Sequence, residues 1–287
     1  MQDANSHEDT YGLVKRFHFI RDFLAEQKPK SVLDVGCGTG NNLTVPLSRE
    51  FPETQFVGTD ADVTSIEYAQ RKNGSDNLSF RLTDLLEDNE KFDVVIASEV
   101  IEHVEDPKDF LRFLNSKLAP GGRIVLTLPN GYGPFELGSF CQTVLHLTGM
   151  LTVLRKIKHV LVGQRKPANT SEADGGEPAS AGHDTLAISP HLNFFSYKKI
   201  KKLIRSSALK IERYKPRTFL CGFGFDQTIR SKMIHWNARI ADKLPARMNS
   251  GWMFILQNGG RETEYTYRRN WYARFRRYLN EKQWGLA

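Results

Sequence analysis

A chain of 287 residues with 40% apolar content can bury a full hydrophobic core, as one large domain or one domain with additions, and no apolar run reaches the ~18 residues of a membrane span. Its formal net charge of +7 leans toward anionic surfaces, with much of the excess near the C-terminus. Cys37, Cys141 and Cys221 stand in neither metal-ligand nor disulfide spacing, and Met1 to Tyr11 is polar without the blocks of a secretory signal, so reduced thiols in a cytoplasmic protein are expected.

Gly12 to Gln27 carries Leu13, Phe17, Ile20, Phe23 and Leu24 at helical spacing, and Pro29 follows it. Ser31 to Val35 is an expected strand that runs into Gly36-Cys37-Gly38-Thr39-Gly40. A buried parallel strand ending in glycines brings backbone close to a ligand, because a side chain there would hold the ligand off. The spacing is G-x-G-x-G and not the G-x-G-x-x-G of a dinucleotide turn. Asp34, two residues before the first glycine, suits a cationic amino-acid ligand better than a pyrophosphate. Asn41 to Phe51 has helical character provided that Pro46 falls in the first turn. A strand over Gln55 to Thr59 ends at Asp60, a helix follows over Val63 to Lys72, and a third strand, Leu78 to Leu82, ends before Asp84. Phe92 to Ala97 is a strongly apolar strand, Pro107 to Leu118 a helix closed by Pro120-Gly121-Gly122, and Arg123 to Leu128 a fifth strand. Strands and helices alternate, which predicts a parallel sheet with right-handed crossovers.

VLDVGCGTG, Asp60 at the end of the second strand, Asp84 after the third, FDVVIASEVIEHV across the fourth and LAPGGRIVLTLPN into the fifth together resemble class I S-adenosylmethionine-dependent methyltransferases. The resemblance covers about Lys30 to Asn130 and continues more weakly to about Gln257. It implies a Rossmann-like α/β fold: a mostly parallel seven-stranded sheet with helices on both faces, a helical insertion after strand five and a C-terminal extension. It also implies a cofactor site. Gly36, Gly38 and Gly40 would form the floor under the methionine part, Asp34 would face its ammonium, and Asp60 would accept both ribose hydroxyls. Asp84 and the neighbouring Leu85 would meet the adenine, and Ser98 would complete the lining. Helix capping is the structural alternative for Asp60 and Asp84.

If a short helix begins near Ser98, then Glu99, Glu102 and His103 share one face at i, i+3 and i+4. Such a group can bind a divalent cation such as Mg, Mn or Zn, with His191 in Pro190-His191-Leu192-Asn193 as a fourth ligand. This pattern resembles ubiquinone-pathway (polyprenyl catechol) O-methyltransferases and small-RNA 2′-O-methyltransferases. A metal there would lower the pKa of a bound hydroxyl and aim it at the methyl group. His103, with Glu102 beside it, is alternatively a metal-free general base, and a purely local role stays open, with Glu99 favouring a helix N-terminus and His103 making local hydrogen bonds.

The chain divides into a cofactor-binding half (1–134), an insertion (135–190), a C-terminal part of the same domain (191–258) and a basic aromatic tail (259–287). Phe135 to Val162 has the character of amphipathic helices, as a lid or a membrane-surface anchor, and residues 164–187 have the composition of a disordered linker. Tyr197 to Ser207 is an expected helix, Leu209 to Tyr214 and Trp252 to Gln257 the last strands, and Phe225 to Leu244 an added helical segment. The tail interleaves Tyr265, Tyr267, Trp271, Tyr272, Phe275 and Tyr278 with arginines, which suits an anionic membrane surface, RNA, or packing on its own domain. The expected activity is O-methylation of a small or lipid-linked, quinol-like acceptor. RNA 2′-O-methylation and a non-catalytic cofactor-binding scaffold are the alternatives, and oligomeric state is not legible.

Overall fold

The computed structural model describes residues 10–87, 89–133, 136, 140, 143–144, 148, 191–219, 236–237 and 239–283. The expectations for the insertion and its linker, for most of Phe225 to Leu244, and for the last residues of the tail lie outside them.

The elements are α1 (Thr10–Gln27), β1 (Ser31–Val35), α2 (Thr44–Glu50), β2 (Gln55–Asp60), α3 (Val63–Asn73), β3 (Leu78–Leu82), β4 (Phe92–Ser98), α4 (Pro107–Ser116), β5 (Leu118–Pro129), α5 (Tyr197–Ser206), β6 (Ser207–Pro216), β7 (Gly251–Glu262) and α6 (Trp271–Gln283). The strands form one sheet in the order β3-β2-β1-β4-β5-β7-β6. β1 to β5 run parallel, and β7 pairs antiparallel with both β5 and β6. The strand order reverses between β1 and β4. In open α/β sheets, ligands sit outside the carboxyl ends of the strands at such a reversal.

Alternation along the strands builds two apolar layers. On one face Val32, Phe56, Val94, Ile96, Val125, Met253 and Ile255 pack with Ile20, Phe23 and Leu24 of α1 and Ile66 of α3. On the other, Leu33, Val95, Ala97, Leu126, Trp252 and Phe254 pack with Leu111 and Leu114 of α4 and Ile200, Leu203 and Ile204 of α5. Local chemistry starts the helices: Asp62 accepts from Ser65 N at the head of α3, and Asp106 accepts from Lys108 N and Asp109 N ahead of Pro107 in α4. Pro46 lies in the first turn of α2, where its missing N–H costs nothing.

Two boundaries differ most from expectation. Pro120-Gly121-Gly122 lies inside β5, where the ladder shifts register between the pairs Phe92–Leu118 and Val94–Arg123. β7 extends to Glu262 and so absorbs the start of the expected tail.

The glycine turn is shaped by the fold as much as by any ligand. Gly36 and Gly40 have φ of +75° and +76°. A Cβ on Gly36 would lie 2.4 Å from a methyl of Val100, and one on Gly40 would lie 2.6 Å from the Phe80 ring. Gly36→Ala is therefore expected to lower stability by about 1–3 kcal/mol, from left-handed strain plus the clash, measured by urea unfolding. An unchanged midpoint would show that the turn relaxes freely.

Candidate active site at the strand termini

The turn after β1 is held by backbone donors and buried carboxylates. Gly36 N and Cys37 N both donate to Thr59 O, at 2.7 and 3.0 Å. Asp60, 7% exposed, accepts from Gly38 N at 2.8 Å through Oδ2 and from Asp62 N at 2.9 Å through Oδ1. It thus braces the turn as well as closing β2, and each of its oxygens keeps a second lone pair. Asp34 lies beneath the turn, 3% exposed, and accepts from Thr44 Oγ1 at 2.7 Å. Burial pushes its carboxyl up to about 7, against the pull of the Thr44 hydroxyl and Arg16. Asp84 and Leu85 occupy a single 3₁₀ turn after β3 and are exposed, Leu85 at 62%.

After β4 the chain departs from the helix expected at Ser98. Glu99 has φ +59°, which turns the backbone left-handed and lets Glu99 N continue the ladder to Thr127 O at 3.0 Å. The i, i+3, i+4 face with Glu102 and His103 does not form. The Glu99 carboxylate instead accepts from Thr127 Oγ1 at 2.8 Å and pairs with Arg217 at 2.6 Å, with Arg16 at 3.8 Å. Burial alone would raise its pKa, but Arg217, Arg16 and Thr127 hold it below the usual carboxylate range. Ser98, the proposed lining residue, shares a hydrogen bond of 3.0 Å with Thr127 Oγ1.

Glu102, His103 and His191 do come together, with ligand atoms within 4.8 Å of one another. The His103 and His191 rings lie 4.9 Å apart, edge to face. The distant His191 is brought here by backbone hydrogen bonds, since Leu192 N and Asn193 N both donate to Glu102 O, at 2.8 and 2.9 Å. The Asn193 amide adds a bond to Val104 O at 2.6 Å. Glu102 is 1% exposed, and its Oε2 has no hydrogen-bond partner among the described residues. Burial, with the nearby Glu99 charge, pushes its carboxyl up to about 8. His191 Nδ1 lies 2.8 Å from Glu136 Oε1. Burial works against the imidazolium, but the Glu136 carboxylate outweighs it and raises His191 to about 9.

The basic aromatic tail folds back onto this end of the sheet. Arg269 donates to Asn193 Oδ1 at 3.0 Å and to Glu105 O at 2.7 Å, and Arg277 binds the Glu105 carboxylate at 3.0 Å. Arg276, 1% exposed, donates to the Glu136 carboxylate and to its carbonyl, both at 2.8 Å. The rings of Trp271, Phe275 and Tyr278 remain exposed on α6, the first two stacked at 5.5 Å.

The residues missed in the sequence are the cations and their partners: Arg16, Arg217, Glu136 and Arg276. Arg16 carried a signal, for it stands on the apolar stripe of α1 between Leu13 and Ile20, where a charge needs a buried partner.

A family model described as "Methyltransferase domain" matches residues 11–212. The mitochondrial ubiquinone biosynthesis O-methyltransferase of Rattus norvegicus is 37% identical over 134 residues, which is 40% of this chain and 38% of that protein. The ubiquinone biosynthesis O-methyltransferase of Rickettsia bellii is 31% identical over 130 residues, 42% of this chain and 54% of that one. The chain thus spans about two-fifths to a half of the length of these curated relatives. The crystal structure of an S-adenosylmethionine-dependent methyltransferase from Clostridium acetobutylicum is 15% identical and covers 86% of this chain and 92% of that one, with a TM-score of 0.50. That likeness shows the fold.

The Glu99 network generates a direct test. Arg217→Met removes the close ion partner of Glu99 and leaves it the Thr127 hydroxyl and the more distant Arg16, and a loss of about 3–5 kcal/mol is expected from chemical denaturation. Adding Glu99→Gln should recover much of that loss. If the single and double variants are equally unstable, the pair does not carry the effect.

Proposed function

The chain belongs to the methyltransferase-domain family, and on that premise we propose that it transfers the methyl group of S-adenosylmethionine to a hydroxyl of a small or lipid-linked, quinol-like acceptor. The observation that carries this reading is Glu102: a buried carboxyl with an unsatisfied oxygen, beside two imidazoles, at the strand reversal where the glycine turn opens. The curated relatives support the acceptor class.

Methyl transfer from a sulfonium is an in-line displacement with the leaving group already activated. The protein must align the hydroxyl and remove its proton. In this reading the turn and Asp34 would meet the methionine part, Asp60 the ribose, and Asp84 with Leu85 the adenine. His103, with Glu102 beside it, would then accept the proton of the hydroxyl. A divalent metal fits the donor set Glu102, His103 and His191, and among the described residues Glu102 Oε2 has no hydrogen-bond partner, which leaves that carboxylate able to help hold one. When bound, it would lower the pKa of the acceptor hydroxyl. Glu99, committed to Arg217 and Thr127, falls outside that set. The exposed stripe of Trp271, Phe275 and Tyr278 supports contact with a membrane interface, from which a lipid-linked acceptor would be drawn. The RNA alternative loses support, since Arg269, Arg276 and Arg277 are spent on partners within the chain.

The test is transfer of labelled methyl from S-adenosylmethionine to a catechol bearing an isoprenoid chain. We expect label in the catechol and a drop of about 100-fold or more in Glu102→Gln and His103→Ala. Cofactor binding with no transfer to any hydroxyl acceptor would overturn the reading. Activity that survives thorough chelation removes the metal from it.

The ammonium of the cofactor needs Asp34 ionised, while the empty fold favours the protonated form. Between pH ~5.5 and ~7.5, affinity for S-adenosylmethionine should tighten on the order of tenfold, and Asp34→Asn should flatten this dependence, by titration calorimetry. Without cofactor the sign is opposite. A carboxyl raised to about 7 gives the folded state the extra proton, so stability present at pH ~4 declines as pH rises through ~7.

A further inference from the structure

We propose that the C-terminal helix α6 is a working part of the site, with Arg276 as a positioning residue that acts on His191 through the Glu136 carboxylate. This rests on the methyl-transfer reading for its consequence, but its geometry stands alone, and Arg276 lies beyond the residues the family model matches.

Glu136 is a bridge. Its Oε1 meets His191 Nδ1 at 2.8 Å, and its Oε2 accepts from Arg276 Nη2 at 2.8 Å. The guanidinium cannot turn away, because Nη1 is fixed on Glu136 O and the Phe140 and Phe194 rings lie against it at 5.3 and 5.0 Å. Holding the carboxylate fixes which imidazole nitrogen is spent. Nδ1 faces Glu136, which leaves Nε2 to serve the cluster with Glu102 and His103. The same helix holds the backbone on either side: Asn280 donates to His191 O at 3.4 Å, and Arg269, just before α6, holds the Asn193 amide oxygen. An Arg buried this fully costs desolvation and is weak evidence for stability by itself. Its return is a ring held in one orientation.

Two readouts on the full chain test this. In histidine-labelled protein, the Nδ1–H resonance of His191, assigned with His191→Gln, is expected in the wild type. It should vanish or shift markedly in Arg276→Gln, while affinity for S-adenosylmethionine stays within roughly twofold, since that site lies on other strands. In turnover, Arg276→Gln should lower kcat by about 10–100-fold with little change in acceptor KM, and Arg276→Lys should recover part. In a His191→Gln background, Arg276→Gln should cost less than roughly twofold more, because the two act as one unit. A folded Arg276→Gln with an unaltered His191 resonance, or losses that multiply in the double variant, would overturn the proposal. Should Arg276→Gln fail to fold, Glu136→Gln breaks the same bridge by placing an amide donor against one of two donors and is judged by the same outcomes. If the resonance responds to Arg276 but the wild type methylates no hydroxyl acceptor, the methyl-transfer reading fails and the positioning role stands.

Discussion

The end of β4 depends on one left-handed residue. Because Glu99 takes φ +59°, its amide stays in the β4–β5 ladder while its carboxylate swings to Arg217 beyond β6, with Arg16 of α1 close by. One side chain thereby ties the N-terminal helix, β5 and the segment after β6 to the strand reversal. The same turn sets Val100 over Gly36, so the glycine turn and the loop after β4 share a contact that no larger replacement of Gly36 could leave intact. The energetic logic is that of a buried ion pair: costly to form, and costlier to break from one side.

The scaffold was legible because its signals are local. β1 and β3 have the boundaries that their apolar runs and flanking Asp, Gly and Pro residues predict, and α3 and α4 begin where Asp62 and Asp106 can cap them. The seven-stranded sheet and the pairing of the last two strands followed from the family resemblance, not from periodicity. Where pattern failed, tertiary contacts had won. Helical spacing from Ser98 to His103 was a reasonable local expectation, but a non-glycine residue with positive φ is uncommon and leaves no mark in sequence.

The site was only half legible for a related reason. Motif spacing finds the groups proposed to meet a ligand, such as Asp34, Asp60, Glu102 and His103. It does not find the groups that position them. Arg217, Glu136 and Arg276 come from distant stretches of the chain, and their roles exist only after the sheet is assembled. The arginine-aromatic tail pointed outward to membrane or RNA in sequence. Folded, it divides by face: Arg269, Arg276 and Arg277 turn inward to the site, and Trp271, Phe275 and Tyr278 turn out.

Three glutamates are enclosed at this end of the sheet among the described residues, and their environments push them apart. Glu99 and Glu136 each face a buried arginine and are held below the usual carboxylate range despite burial. Glu102 has no arginine paired with it among the described residues, keeps an oxygen with no hydrogen-bond partner among them, and is pushed up to about 8. Arginines pair with two of these three carboxylates, while the third faces two imidazoles and is offset in part by the His191 charge, which leaves it the one suited to a ligand that arrives. An unpaired buried carboxyl costs stability, and the natural return on that cost is a proton or cation exchanged with a ligand. Where the arginines lie therefore divides the three carboxylates: Arg217 and Arg276 hold Glu99 and Glu136 in the charged form, and Glu102 is left facing the imidazoles of His103 and His191.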